Sequence, residues 1–280
     1  MDTSASDVKR NPSRSVVGGD AGRCVFTSAM SGLLFLSLSL FVPCSLFGQA
    51  SGHASRTHEA NVRVPFVGCE SDGQVGPVDA PQEQSKVVTI SAEAAQRLAY
   101  YKGDKGVGTL APRGWHCFGT YGSGGSTLYV SPKAIKSADL FSKGFGGTAI
   151  QISTEYGDTS GRFGVAKVIA RVFPAHLQFV KHVIAERLMP ASSFPSGPYP
   201  KDKLTYRGNE IVEFQTPANS KGLGTDSGLQ KNSSPVSGVA ILFGEETNLL
   251  LLSVRLSPET NNLTQVIIQQ TEYDAEHLGH

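Results

Sequence analysis

The sequence predicts an α+β fold: one domain with a largely antiparallel sheet and about three helices, preceded by an N-terminal signal segment. Three observations predict this class. Short strands follow one another through tight turns, a few helices are interspersed among them, and 39% of the 280 residues are hydrophobic. A chain of this length and composition can bury a sizeable core, and it contains no internal repeat. We therefore expect one globular domain.

Strands are predicted where short apolar runs lie between turn signals. Two nearly continuous apolar runs, Ser237–Phe243 and Asn248–Leu256, are expected at the core of the sheet, and the short Gly244–Thr247 segment between them suits a hairpin. A Gly208-Asn209 turn predicts a second hairpin. The other predicted strands are Lys86–Ile90, Thr127–Ser131, Thr148–Glu155, Lys203–Arg207 and Glu210–Gln215.

Helices are predicted from caps and from apolar spacing. Ser91 caps a helix that continues to about Tyr101, and Pro174 opens another that runs to Leu188. A last helix begins at Ser257-Pro258, with serine as cap and proline at the first position. The apolar residues of Arg162–Val172 fit neither the 3.6-residue period of a helix nor the two-residue period of a strand. This segment could therefore be a strand or a helix. A turn or short helix is expected at 132–142.

The N-terminal 50 residues have the order of a secretory signal. No charged residue occurs between Cys24 and Ser55, and the apolar run Ser31–Val42 is followed by Pro43 and by Gly48-Gln49-Ala50. We predict a signal peptide over 1–50, with cleavage after Ala50 and a secreted or periplasmic product. The alternative is a membrane anchor over residues 25–48, which is long enough to span a bilayer.

Charge argues against nucleic-acid binding. Four basic and three acidic residues of the 25 and 24 in the chain lie in 1–50, so residues 51–280 carry 21 of each sign. Nucleic-acid binding rests on a positive surface that displaces counterions from phosphate, so no nucleic-acid partner is expected. Contact with a membrane is expected only through the N-terminal segment, if that segment is not cleaved. Other partners are left open.

Two of the four cysteines remain after the signal is removed. Cys69 and Cys117 form an even pair in an exported chain, which predicts a disulfide between them. The bond would pin a Pro/Gly-rich extended arm, residues 51–85, onto a globular domain over 86–280. The alternative is a Cys117 nucleophile beside His116. No metal site and no cofactor are predicted, because the Trp115-His116-Cys117 motif has no accompanying ligand pair.

A glycine-rich stretch at 103–126 contains most of the remaining candidates. Arg113, Trp115 and Tyr121 form a mixture of aromatic and polar groups that could bind a ligand, with Trp115 packing on the face of a sugar. The alternative is that Trp115 fills the core beside the disulfide. The glycines match no phosphate-binding motif, and a tight surface loop packed around Trp115 and Phe118 is expected instead.

A hydrolytic site is the competing hypothesis. His116 would work with an acid such as Asp72, brought close by the disulfide. Ser123 stands in Tyr121-Gly-Ser-Gly-Gly125, which has serine between glycines but lacks the glycine two positions before it and the following helix that a nucleophile elbow needs. The catalytic candidates are therefore His116, Asp72 and Ser123.

Three segments of the sequence resemble segments of other proteins. They are APRGWHCFGTYGSGG (Ala111–Gly125), VPFVGC upstream and VEFQTPANSKGLGT (Val212–Thr225) downstream. Together they resemble stretches of uncharacterised secreted bacterial proteins that share an RGWHCFGTYGS-type motif, over most of 64–256. The resemblance implies export and a bacterial source, and it assigns no activity and no site residue. The expected function is a periplasmic or extracellular binding or envelope-associated role, and the alternative is a cell-envelope hydrolase centred on His116.

Overall fold

The structure is a computed structural model that describes residues 60–135 and 144–278. These residues belong to one compact unit. The predicted signal over 1–50, the first nine residues of the predicted arm and positions 136–142 of the predicted turn lie outside the described residues. None of the described helices is long and apolar enough to cross a membrane.

The described residues form twelve strands in two sheets. The small sheet has the order β3-β1-β4-β5, with β1 Ala60–Cys69, β3 Ser85–Ile90, β4 Leu98–Gly103 and β5 Thr109–Pro112. The large sheet has the order β2-β6-β7-β8-β12-β11-β10-β9, with β2 Ser71–Gly73, β6 His116–Gly122, β7 Gly125–Ser131, β8 Ala149–Glu155, β9 Lys203–Arg207, β10 Ile211–Thr216, β11 Val236–Phe243 and β12 Asn248–Arg255. Only the β1–β4 and β2–β6 pairs are parallel, so the largely antiparallel sheet is confirmed.

The described residues also form four α-helices, and the α+β class is confirmed. They are α1 Ala92–Arg97, α2 Arg162–Val172, α3 Leu177–Ala185 and α4 Thr264–Glu276. Side chains of α2 and α3 pack on one face of the large sheet, and the small sheet together with α4 packs on the other face. The large sheet is therefore the middle layer of the domain.

Strands β11 and β12 are buried on both faces. Val239 and Ile241 face the core that the two sheets share, whereas Ala240 and Leu242 face the core under α2 and α3. The sequence of a strand that is covered on both sides is a continuous apolar run, and it does not alternate between apolar and polar residues. This explains why their sequence correctly predicted the centre of the sheet and its hairpin.

Helix α1 is shorter than predicted. Ser91 caps it as expected, since the Ser91 hydroxyl accepts a hydrogen bond from the Ala94 amide at 3.2 Å. The helix ends at Arg97, however, and Leu98–Gly103 forms β4, which pairs with β1 and β5. Burial of consecutive side chains on both faces of this strand outweighs the helical preference of the segment.

Other boundaries also differ from the sequence prediction. The open segment Arg162–Val172 is a helix. Pro174 begins a single 3-10 turn, and α3 ends at Ala185, which leaves Leu188 66% exposed. The last helix begins at Thr264 rather than at Ser257, because Ser257 first accepts a backbone hydrogen bond from Thr260 in a separate turn.

The predicted arm contributes a central strand. Residues 60–69 form β1, which lies between β3 and β4 inside the small sheet. The chain from 60 onward is thus part of the folded unit, because residues 60–65 of β1 pair with β3 and residues 66–69 pair with β4. Much of the glycine-rich stretch is likewise sheet, since it contains β5, β6 and the start of β7.

The predicted disulfide between Cys69 and Cys117 is present. It joins the end of β1 to β6, with the two Cα atoms 5.4 Å apart, and so crosslinks the small sheet to the large one. Cys69 is buried in the core that the two sheets share. The crosslink therefore holds the two layers together where they meet.

Candidate functional site

The catalytic candidates from the sequence lie apart. His116 is exposed at the start of β6, where it pairs with Ser131 of β7, and its side chain forms no hydrogen bond within the described residues. Asp72 is paired with Thr120, four residues further along β6, which corresponds to roughly 13 Å of strand. The Cys117 sulfur is held in the disulfide. Ser123 lies in the turn after β6, and its hydroxyl is 3.0 Å from that of Ser160. The fold does not bring these groups together.

The ligand-binding candidates make contacts within the fold. Arg113 donates to the carbonyls of Ala95 and Leu98, at the end of α1. The Trp115 amide donates to the Tyr101 hydroxyl, and its ring packs against the core that the sheets share. The Tyr121 hydroxyl donates to the Gly76 carbonyl at 2.6 Å. Of these three candidates, Tyr121 alone lines one of the cavities described below.

A different set of side chains forms a polar patch on the large sheet. The patch lies on the side that faces α2, where β11 and β12 carry apolar residues. Strand register places its members next to one another, because Thr127 pairs with Ser153, and Gln151 pairs with both Tyr129 and Ser253. The polar patch is defined as Thr127, Tyr129, Gln151, Ser153, Glu155 and Ser253.

The polar patch is covered rather than solvent-facing. Gln151 and Ser153 are 5% and 6% exposed, although they belong to a class that is usually exposed. Helix α2 and the loop over 223–228 lie above the patch and enclose a cavity of about 310 Å³. We call it the sheet cavity. Buried polar groups that line a cavity are the usual composition of a binding site.

A second cavity adjoins the first. It has a volume of about 510 Å³ and lies between the β6–β7 turn and the residues that precede α2, Ser160 and Gly161. We call it the turn cavity. Thr127, Glu155 and Gly164 line both cavities. The two cavities together form one groove, which we call the Glu155 groove.

Glu155 has an unsatisfied buried oxygen in this groove, and Ser253 Oγ of the polar patch is likewise buried without a partner in the described structure. The Oε2 atom of Glu155 is inaccessible to solvent and has no hydrogen-bond partner in the described structure. Burial raises the pKa of the Glu155 carboxyl, and the positive charge of Lys167 partly opposes this rise. The carboxyl lies against the first turn of α2, whose dipole also favours a negative charge. An unpartnered buried carboxyl is costly, so a group that supplies a donor would be favoured here.

The other walls of the groove are held by specific contacts. The Gly228 backbone amide donates to the side-chain oxygen Oε1 of Gln151 at 2.9 Å. This hydrogen bond joins the covering loop to the sheet. Asp226 in the same loop accepts from the Tyr199 hydroxyl at 2.6 Å, and the Arg171 guanidinium lies 4.2 Å from the Tyr199 ring centre. Burial and the Asp226 charge raise the pKa of Tyr199 to about 12. These contacts join the covering loop to α2 at one end of the sheet cavity.

We expect the Glu155→Gln variant to be more stable than the natural protein at neutral pH. The folded-state pKa of Glu155 lies above the ordinary value of 4.5, so folding favours the protonated form. The contribution of Glu155 to stability is therefore lost as the pH rises from 4.5 through the raised pKa, and it stays lost above it. Urea unfolding should show a gain of about 0.5–2 kcal/mol at pH 7 and almost none at pH 4.

The matched control for this experiment is Glu245→Gln, at an exposed position in the β11–β12 turn. It should leave the unfolding free energy almost unchanged at both pH values. A loss of stability in Glu155→Gln at pH 7 would contradict the description, because it would mean that the carboxylate accepts strong hydrogen bonds.

Gly164 leaves the space that the Glu155 carboxyl occupies. A Cβ atom at position 164 would lie 1.6 Å from Glu155 Oε2, and the atoms nearest to it all belong to the end of the Glu155 side chain. Gly164→Ala should thus push the carboxyl away from the helix, which offsets the gain of about 0.5–1 kcal/mol that the same change brings in an unobstructed helix. In a Glu155→Ala background that gain should appear in full. Chemical denaturation of the four proteins of this cycle measures the coupling, and additive effects would contradict the contact.

No group of three or more His, Cys, Asp or Glu side chains in 60–135 and 144–278 is positioned to hold a metal ion. The groove instead presents hydroxyl groups, the Gln151 carboxamide, the carboxyl groups of Glu155 and Asp226, and the Lys167 ammonium group. Its chemistry is hydrogen bonding together with charges of both signs.

Comparison with known proteins gives no match: no family model, no curated protein and no solved structure is similar to this chain. The function is therefore argued from the groove itself. Sequence reasoning did not single out Glu155 or its neighbours. The available signal was the run of polar residues at alternate positions of β8, which is also typical of a strand with one solvent-facing side.

Proposed function

We propose that this chain is an exported protein that binds a hydrophilic small molecule in the Glu155 groove. The observation that carries the proposal is the solvent-inaccessible Glu155 oxygen without a partner, in a residue that lines two adjoining cavities. A protein gains no stability from such a group, and groups of this kind are retained at sites where a ligand or a reaction uses them. Because this oxygen packs against Gly164, the carboxyl would turn into the groove to accept a hydrogen bond from a donor on the ligand.

Export is proposed on three observations. The signal-like N-terminal segment supports passage across a membrane, and the resemblance to secreted bacterial proteins supports a bacterial host. The disulfide between Cys69 and Cys117 is compatible with an extracellular or periplasmic location, because such bonds persist in oxidising compartments. We prefer the binding role to a hydrolase centred on His116, since Asp72 of β2 pairs with Thr120, which is four residues away from His116 along β6.

A stability screen tests the binding role. Thermal unfolding is followed with millimolar glucose, putrescine and phosphate, which represent uncharged, cationic and anionic hydrophilic compounds. A ligand at 100 times its Kd stabilises the protein by about 2.7 kcal/mol. We expect at least one compound to raise the unfolding midpoint of the natural protein and of the Glu245→Gln control, but not that of Glu155→Gln. Equal responses of all three proteins, or no response, would contradict the proposal.

A further inference from the structure

We infer that the Glu155 groove binds an uncharged, hydroxyl-rich chain, of the oligosaccharide class, with one unit in each cavity. This inference rests on the proposed function and concerns the chemical class of its ligand. The first argument is shape. Each cavity reaches the lower end of the volume range of small-molecule sites by itself, and the two share Glu155 at their junction. Such a site suits an elongated ligand of at least two units.

The second argument is the chemistry of the lining. Hydroxyl groups occur in both cavities, with Ser153 in the sheet cavity, Ser126 and Ser160 in the turn cavity and Thr127 in both. A hydroxyl both donates and accepts hydrogen bonds, and the ligand groups that match it at many points are hydroxyls themselves. At Gly122, in the β6–β7 turn, nothing lies within 4 Å of the position that a Cβ atom would take, so the backbone there is open to close approach by a ligand.

The third argument is the distribution of aromatic rings. Tyr129 lines the sheet cavity and Tyr121 lines the turn cavity, so each cavity contains one tyrosine. A tyrosine ring offers an apolar face and a polar tip, which suits a ligand with apolar CH groups on one side and hydroxyls at its rim. The repetition of ring and hydroxyls in the two cavities is what a chain of similar units would use.

The fourth argument is charge. Glu155 and Asp226 repel an anionic ligand, and Lys167, which lies close enough to act on Glu155, repels a cationic one. The two carboxylates outnumber the one ammonium group, so an anion is the least favoured ligand. When the Glu155 carboxyl turns from Gly164 into the groove, a neutral hydroxyl supplies a donor to it without introducing a net charge into a partly buried site. An uncharged ligand therefore suits the site better than an anion.

Isothermal titration with defined oligosaccharides tests the inference. The probes are N-acetylglucosamine, α-1,4-glucose and β-1,4-glucose series of one to five units, together with cationic de-acetylated N-acetylglucosamine oligomers and anionic galacturonate oligomers. We expect one uncharged series to bind with an affinity that rises at least tenfold from one unit to three. Ser153→Ala and Ser160→Ala should each weaken binding of the trimer by about three- to tenfold, since each removes one hydrogen-bonding hydroxyl.

Ser192→Ala, at an exposed position outside both cavities, is the matched control and should bind like the natural protein. Unfolding midpoints of all variants establish that they fold. Tighter binding of a charged series, or equal affinity for monomer and oligomer, would overturn the inference and leave the proposed binding function in place. Failure of every series would also overturn it, and the proposed function is then decided by the response of Glu155→Gln in the thermal screen.

Discussion

Replacement of both Cys69 and Cys117 by alanine should lower the free energy of unfolding by about 4 kcal/mol. The disulfide joins residues 48 positions apart, and closing a loop of this length removes about that much conformational freedom from the unfolded chain in the chain-entropy model. The expected loss is a large fraction of the stability of a typical domain. Urea unfolding of the oxidised natural protein and of the double variant measures it.

The effect of a reducing agent provides the control for this prediction. Reduction should destabilise the natural protein to about the level of the double variant. The double variant keeps Cys24 and Cys44 of the N-terminal segment, so any remaining response to reduction is assigned to those two residues. A double variant as stable as the oxidised natural protein would contradict a role for the disulfide in holding the two sheets together.

Replacement of Arg255 by methionine should cost about 3 kcal/mol. Arg255 is 1% exposed and donates to the carbonyls of Phe145, Gly147 and Gln230. Methionine has a similar length but no donor, so the three hydrogen bonds would be lost, although the Phe145 carbonyl keeps the Gln230 amide as a partner. A hydrogen bond from a charged group contributes about 1.5–3 kcal/mol, and removal of the buried charge offsets part of the summed loss. Chemical denaturation measures the net loss.

Arg255 also supports the wall of the sheet cavity. Phe145 exchanges backbone hydrogen bonds with Gly228 and Gln230, and Gly228 is the residue that donates to Gln151 of the polar patch. The matched control is Arg63→Met, at an exposed position, which should change stability by less than about 0.5 kcal/mol. If Arg255→Met were no less stable than Arg63→Met, the carbonyl contacts would not contribute as described.

Several parts of the fold could be predicted from the sequence because they depend on local chemistry. The Ser91 cap forms within one turn of the chain, and the β11–β12 hairpin depends on two apolar runs with a short turn between them. The disulfide followed from counting the cysteines outside the signal. In each case the residues that decide the structure are neighbours in sequence, or are the only two of their kind left to pair.

The Glu155 groove is formed by residues that are distant from one another in sequence. The alternation of Ile150 and Ile152 with Gln151, Ser153 and Glu155 indicates a strand with one polar side, and nothing local reveals that this side is covered. The cover is supplied by α2, whose sequence fits neither period, and by the loop over 223–228. Burial of Glu155 is thus a property of tertiary packing.

The candidates that the sequence did favour were misleading for a related reason. Arg113, Trp115 and His116 stand together in the chain, but in a strand and its approach successive side chains point in different directions. Arg113 contacts the end of α1, Trp115 packs into the core, and His116 is exposed. Proximity in sequence therefore did not correspond to a shared site.

The most direct test of the account is an NMR titration of the Glu155 carboxyl. In protein with ¹³C-labelled glutamate, the Glu155 signal is assigned by its absence from the Glu155→Gln variant. Its carboxyl carbon should titrate with a pKa above the ordinary 4.5, and this pKa should change when a ligand that stabilises the protein is added. A Glu155 pKa at or below 4.5 in the free protein would contradict a buried, unpartnered carboxyl at the centre of the groove.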